Sequence, residues 1–136
     1  LPLSYIGYGG EGKQVRDLLH VDDLVELVDE QLSDPEGWAG FVGNVGGGRE
    51  NSLSLLETTE ICRELTGNEV PIEPVTETRQ GDVPIFIADC ARLFGRTGWR
   101  PSRDPRRTLA DIHEWTAANE SSLSEALGLD APAGVN

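Results

Sequence analysis

The sequence predicts an α+β lobe of short strands and helices, and three observations lead there. Apolar residues recur at helical spacing over residues 23–33, over 54–66 and again after Pro105. Between these stretches lie apolar runs of four or five residues, 41–45 and 85–88, too brief to be helices. The two kinds of element do not alternate regularly as in a parallel sheet. That leaves an α+β arrangement, or pieces of a sheet completed by other sequence.

Residues 3–8 read as a short strand running into Gly7-Tyr8-Gly9-Gly10-Glu11-Gly12. Residues 14–21 fit strand and helix equally well. A helix is predicted from Asp23: Leu24, Leu27, Val28 and Leu32 share a face, Asp23 and Glu26 resemble a capping pair, and Asp22 and Asp23 stand where a cap is needed. It ends near Ser33-Asp34-Pro35, since Pro cannot continue it. Residues 41–45 are predicted to be a buried strand ending at Gly46-Gly47-Gly48.

Ser54-Leu55-Leu56-Glu57 is a capping box, opening a helix to about Thr66 with Leu55, Thr59, Cys62 and Leu65 on one side and Gly67 as its stop. Residues 70–75 form a strand that Pro71 and Pro74 confine to an edge or make irregular. After 85–88, Asp89 is the predicted N-cap of a helix over 90–96. Pro105 suits the first turn of another helix, with Leu109, Ile112 and Trp115 or Thr116 inward. A last helix covers about 122–127. The whole is one domain over residues 1–128, followed by a loose tail, 129–136.

Composition narrows the function classes. The 136 residues suffice for one domain with a core, and 38% hydrophobic with 26% charged residues is ordinary globular composition. A formal net charge of −13 repels phosphate backbones, which argues against nucleic acid as a partner. An anionic ligand needs a local cluster of Arg working against that field. Cys62 and Cys90 lack zinc-like spacing and read as buried, reduced thiols of a cytoplasmic protein. No stretch is apolar enough for a membrane span. The chain has no Met and opens at Leu1 inside an apolar stretch, which reads as a cut into a longer protein.

Several motifs have a bland reading that outweighs the functional one. Gly7, Gly9 and Gly12 match G-x-G-x-x-G, but the strand before them is short and the helix after them doubtful, so a plain turn is expected. A P-loop is weaker still, because Gln14 stands where Ser or Thr would hold magnesium. His20-Val21-Asp22-Asp23 is a poor metal cage, with one His and two cap-forming carboxylates, and His113 is expected to be structural. The run Asn44-Val45-Gly46-Gly47-Gly48 is expected to be a strand end rather than a phosphate cradle. Asn51 and Ser52 could cap the next helix or touch a ligand.

Arg16-Asp17 and Arg79-Gln80-Gly81-Asp82 carry isolated arginines in an acidic chain. Two readings stay open for them: exposed salt bridges, or two guanidinium forks meeting on one diphosphate.

Four stretches in order resemble the extended short-chain dehydrogenase/reductases, the NAD-dependent nucleotide-sugar epimerases and dehydratases. They are Gly12-Lys13-Gln14-Val15-Arg16-Asp17-Leu18-Leu19-His20-Val21-Asp22-Asp23; Asn44-Val45-Gly46-Gly47-Gly48 with Asn51-Ser52-Leu53-Ser54-Leu55-Leu56-Glu57; residues 81–89; and Gly98-Trp99-Arg100-Pro101. The wording of the first two is most similar to the CDP-paratose (CDP-tyvelose) 2-epimerase branch.

The resemblance implies a C-terminal substrate-binding lobe whose strands and helices complete a Rossmann-type α/β fold in the full-length enzyme. It implies that residues 15–20 are extended and that the helix begins at Asp22 or Asp23. It assigns Arg16 and Arg79 to the substrate diphosphate and Asp82 to the nucleotide ribose or its loop. Gln14 and Asn51 go near the nucleotide, and Phe86 to the sugar pocket or to core packing. The partners implied are a nucleotide-diphosphate sugar and an N-terminal Rossmann half that holds NAD, with no metal. A homo-oligomer is left open.

The family's chemistry uses a Tyr followed four residues later by a Lys. Lys13 is the only lysine here, and Gly9 lies four residues before it. The catalytic pair is therefore not in these 136 residues, and neither is the NAD-binding fingerprint half. Whether the chain by itself is an enzyme stays open. Its implied role is nucleotide-sugar binding within an epimerase acting at C2 of a CDP-dideoxyhexose through a transient ketone. The alternatives are a binding module without catalysis and part of a 4,6-dehydratase.

Overall fold

The structure is a computed structural model and describes residues 3–128; the predicted loose tail, 129–136, lies outside the described residues. Five short strands form two small sheets: β1 (Leu3–Ile6), β2 (Val15–Asp17), β3 (Ser52–Ser54), β4 (Ile72–Val75) and β5 (Ile85–Phe86). β1 and β4 pair in parallel, Leu3 opposite Ile72 through Ile6 opposite Val75. In the other sheet β2 is central, antiparallel to β3 (Arg16 opposite Leu53) and parallel to β5 (Arg16 opposite Phe86). Pro74 sits within β4, which pairs on one side only, as a residue without an N–H requires.

Among the described residues there are six α-helices: α1 (Val21–Ser33), α2 (Pro35–Trp38), α3 (Leu55–Thr66), α4 (Ala91–Thr97), α5 (Pro105–Ala118) and α6 (Glu120–Leu127). Among the described residues no helix is long and apolar enough to cross a membrane. The capping box of α3 is reciprocal: Glu57 N–H donates to Ser54 Oγ, and Glu57 Oε2 accepts from Ser54 N–H. The Ser54 hydroxyl, which also donates to Glu57 Oε2, and then the Ser54 N–H hold the Glu57 carboxyl below its usual range. Gly67 ends α3 in the left-handed region, at φ 69°, where a side chain would be strained.

The segment between the glycine turn and α1 is extended at β2 and at His20, so the resemblance settled correctly what periodicity could not. The helix nevertheless starts at Val21, earlier than Asp22 or Asp23, and its N-cap is His20. His20 Nδ1 accepts the Asp22 N–H at 3.0 Å, and Nε2 lies 3.2 Å from Asp111 Oδ2. This pairing fixes the tautomer that donates from Nε2.

Asp23 is not a cap. Its side chain is fully buried and accepts from Ser102 N–H and Oγ–H, from Arg103 N–H and from the Arg103 guanidinium, tying α1 to the loop before α5. Burial pushes the Asp23 carboxyl up, but the hydrogen bonds from Ser102 and Arg103 outweigh it. The net effect is to hold it below the usual aspartate value.

The core is compact and lies under α1 and α4. Leu27, Leu93 and Trp99 are buried, with Leu19, Trp38, Phe41 and Phe94 packed against them. Trp99 belongs to the Gly98-Trp99-Arg100-Pro101 motif, and Gly98 ends α4 at φ 75°. Asp89 caps α4 only indirectly. Its carboxylate accepts from Ala91 N–H, while Cys90 occupies the N-cap position.

Two expectations about apolar segments fail. Residues 41–45 form no strand, and Val42 is 72% exposed. A strand exists only beside another, and no described strand runs alongside this one. Ile112, Trp115 and Thr116 are likewise exposed, leaving Leu109 half-buried on α5. The spacing of these residues marks a face that these 126 positions do not cover.

Candidate functional site

β2 is where the site begins. Successive residues of a strand point to opposite faces. Gln14 and Arg16 accordingly face one side, where they line a cavity of about 260 Å³ together with Ser4, Ile6, Leu55, Arg79 and Asp82. Asp17 faces the other side and accepts the Gly48 N–H at 3.0 Å. Neither arginine pairs with its nearest sequence neighbour. Arg16 reaches 66 residues along the chain to Asp82 Oδ1, at 3.2 Å. Arg79 has no ion-pair partner among the described residues and lines the same cavity.

The loop after β4 brings Arg79 and Asp82 there. Asp82 N–H donates to Arg79 O, and Asp82 Oδ1 accepts from Val83 N–H at 2.8 Å. Gly81 lies between them at φ 83°. The carboxylate thus turns inward to Arg16, while three of that guanidinium's five N–H donors stay available.

Gln14 is buried. Its Nε2 donates to Ile6 O, and its Oε1 has no hydrogen-bond partner among the described residues. A buried acceptor left unpaired costs about 1–3 kcal/mol, so it is a natural point for a ligand donor.

Of the six residues singled out from sequence, Gln14, Arg16, Arg79 and Asp82 share this cavity. Phe86 does not line it, yet it is the register partner of Arg16 on β5 and is 60% exposed, too open for a core residue. Asn51 lies just before β3, where its carbonyl accepts the Leu18 N–H at 2.9 Å. Ser4, Ile6 and Leu55 escaped the sequence reading. The first two were legible as alternate residues of one strand, and Leu55 as the first residue after a helix cap.

The glycine turn is a turn. Tyr8–Gly10 form one short 3-10 turn, and the chain enters β2 rather than a helix. It offers no helix N-terminus to a pyrophosphate, so the described residues contain no dinucleotide cradle of that kind. Gly46 and Gly47 are there for close packing: a Cβ on Gly46 would lie 2.5 Å from Asp17 Oδ2 and 2.6 Å from Ala88 Cβ, and one on Gly47 would collide with Leu18 O. No group of three or more His, Cys, Asp or Glu among the described residues could hold a metal ion. Cys90 is buried. Burial, then the charges of Asp17 and Asp89, push its thiol up, against a backbone hydrogen bond at Gly46.

Comparison with known proteins gives consistent relatives, although no family model matches. The chain is 29% identical over 109 residues to the CDP-paratose 2-epimerase of Salmonella typhi, covering 80% of this chain and 32% of that protein. It superimposes on the dTDP-glucose 4,6-dehydratase of Bacillus anthracis in complex with NAD with a TM-score of 0.67 at 29% identity, covering 82% of this chain and 34% of that one. It superimposes on the UDP-glucose 4-epimerase of Thermotoga maritima with UDP-glucose with a TM-score of 0.68 at 27% identity, covering 85% and 35%. The chain therefore spans about a third of the length of the relatives it matches.

Proposed function

Because this chain belongs to the extended short-chain dehydrogenase/reductase family of NAD-dependent nucleotide-sugar epimerases and dehydratases, we propose that it is the nucleotide-sugar-holding part of such an enzyme. The observation that carries this reading is the meeting of Arg16 and Arg79, 63 residues apart in sequence, on one cavity with Gln14 and Asp82. Two guanidinium forks offer paired donors to the oxygens of one diphosphate, and their local charge opposes the field of an acidic chain. Asp82 orients Arg16 and stands by the ribose. Gln14 Oε1 accepts a donor from the nucleotide, and Asn51 lies near it. Phe86 stands beside the sugar and limits its bulk.

The described residues do not fit NAD, for lack of a glycine turn leading into a helix and of a Tyr-x-x-x-Lys pair. Hydride transfer is therefore the task of polypeptide outside residues 1–136, an N-terminal Rossmann half. This lobe's contribution is binding energy: anchoring the diphosphate positions the sugar against the reacting centre supplied elsewhere. The branch we favour is epimerisation at C2 of a CDP-dideoxyhexose through a transient ketone. It rests on the Gly-Lys-Gln-Val-Arg-Asp and Asn-Ser-Leu-Ser-Leu-Leu-Glu wording and on the Salmonella typhi relative.

The second reading, nucleotide-sugar binding without catalysis, is favoured by the missing Tyr–Lys pair. The test uses the protein joined to its NAD-binding half. It should contain NAD, bind CDP by calorimetry, lose that affinity with Arg79→Ala, and interconvert a CDP-dideoxyhexose and its C2 epimer. CDP binding without turnover selects the second reading, and an unchanged dissociation constant in Arg79→Ala rejects the clamp.

A further inference from the structure

Tyr8 is the one non-glycine residue among the described positions with a positive φ, 48°. A side chain in that region is strained by roughly 1–2 kcal/mol and persists only where its surroundings hold it. Tyr8 is held twice. Its N–H donates to Thr78 Oγ1 at 3.1 Å, and its hydroxyl donates to Asp82 O at 2.7 Å. Those two acceptors are the two ends of the five-residue loop that carries Arg79. Tyr8 itself does not line the cavity.

The turn around Tyr8 is itself anchored. Gly7 N–H donates to Val75 O at 2.7 Å, and a Cβ on Gly7 would stand 3.3 Å from Thr78 Cα. A Cβ on Gly10 would lie 2.7 Å from Pro74 Cβ. The glycines therefore let the turn approach the loop closely, and the tyrosine reaches over it. Asp82, gripped at its carbonyl by Tyr8, is gripped at its carboxylate by Arg16. One residue outside the cavity thus fixes the spacing of both guanidinium groups.

We propose that Tyr8 is a positioning residue that straps the 78–82 loop onto the glycine turn and so sets the diphosphate affinity of the cavity. This rests on the reading of the cavity as a nucleotide-sugar site. The strap works through pre-organisation: a loop already held in its binding geometry loses less freedom when an anion arrives.

The experiment compares Tyr8→Phe, Arg79→Ala and the double variant in the protein joined to its NAD-binding half, with CDP and inorganic pyrophosphate as probes. Tyr8→Phe removes one hydroxyl. It should weaken both ligands about fivefold, the equivalent of one hydrogen bond, with little change in thermal midpoint. Added to Arg79→Ala it should cost less than it does alone, since what remains of the strap's effect then passes only through Asp82 to Arg16. Amide exchange at Asp82 and Val83 should quicken in Tyr8→Phe while α3 stays protected. Thr78→Val, which removes the other anchor, should repeat the pattern. Unchanged affinity and exchange in Tyr8→Phe overturn the strap, as does an equal loss in the Arg79→Ala background. If the parent protein binds neither probe, the nucleotide reading falls, and faster exchange at Asp82 and Val83 alone still decides whether Tyr8 holds the loop.

Discussion

Arg16 Nη2 stands 3.2 Å from Asp82 Oδ1, and this ion pair joins the central strand of the mixed sheet to the loop bearing Arg79. The carboxylate does two opposed things. It holds Arg16 in place, and it places a negative charge where a diphosphate would sit. A partly exposed pair of this kind is worth little as stabilisation, so its value lies in orientation.

Asp82→Asn separates those effects. The amide oxygen can still accept from Val83 N–H, but the charge is gone. Inorganic pyrophosphate should bind several-fold more tightly, and the gain should shrink as salt is added. Weaker binding would mean that orienting Arg16 outweighs the repulsion.

Arg79→Ala removes a cation with no ionic partner among the described residues. Charge-assisted hydrogen bonds to a diphosphate contribute about 1.5–3 kcal/mol. CDP affinity should therefore fall at least tenfold with the fold intact by circular dichroism.

Asp23→Ala leaves Ser102 and Arg103 without their buried acceptor and should cost roughly 2–4 kcal/mol of stability. The Asp23 carboxyl is held below its unfolded value. Its stabilisation is thus complete above that unfolded value, near pH 4, and is lost as pH falls through the lower folded value. Thermal midpoints measured from pH 6 down to pH 2 should show a drop below about pH 4 that Asp23→Asn flattens.

Cys90 is buried with its thiol pushed up, whereas Cys62 on α3 is half-buried. At pH 8 a maleimide should label Cys62 first, as mass spectrometry of the peptides will report. Equal rates would mean that α4 opens readily at its first turn.

The 136-residue chain should fold poorly by itself. Among the described residues Leu27, Cys90, Leu93 and Trp99 are the buried apolar ones, while Val21, Leu32, Val42, Ile85, Phe86 and Trp115 are each more than half exposed. Calorimetry of the isolated chain should give a broad melt with binding of a hydrophobic dye. Joined to the NAD-binding half, the same residues should melt cooperatively. A sharp transition in the isolated chain would count against this.

What could be read from sequence was whatever is decided within a few residues. The Ser54–Glu57 box, the Gly67 stop and Pro105 at a first turn depend on local backbone groups, and each stands where it was expected. Residues 41–45 were misread because an apolar run states a preference for burial and does not supply the neighbouring strand. Asp23 was misread for a related reason. Its position next to a helix start suits a cap, but its partners, Ser102 and Arg103, are 79 and 80 residues away. Spacing alone left Arg16 and Arg79 open between salt bridges and a clamp, since the folding that brings them to one cavity leaves no local trace. Tyr8 went unnoticed because a tyrosine between glycines carries no periodic signal.

The packing at Gly46 and Gly47 limits how this protein could be redesigned. Loop exchange is a common route to new sugar preferences, and the stretch before Asn51 looks like a surface segment free to be replaced. Any side chain introduced at Gly47 meets the backbone of Leu18, two residues beyond Arg16. On the proposed reading, a graft crossing that point would disturb anion recognition from a distance, and selection for altered sugars would register it as lost affinity for every nucleotide alike.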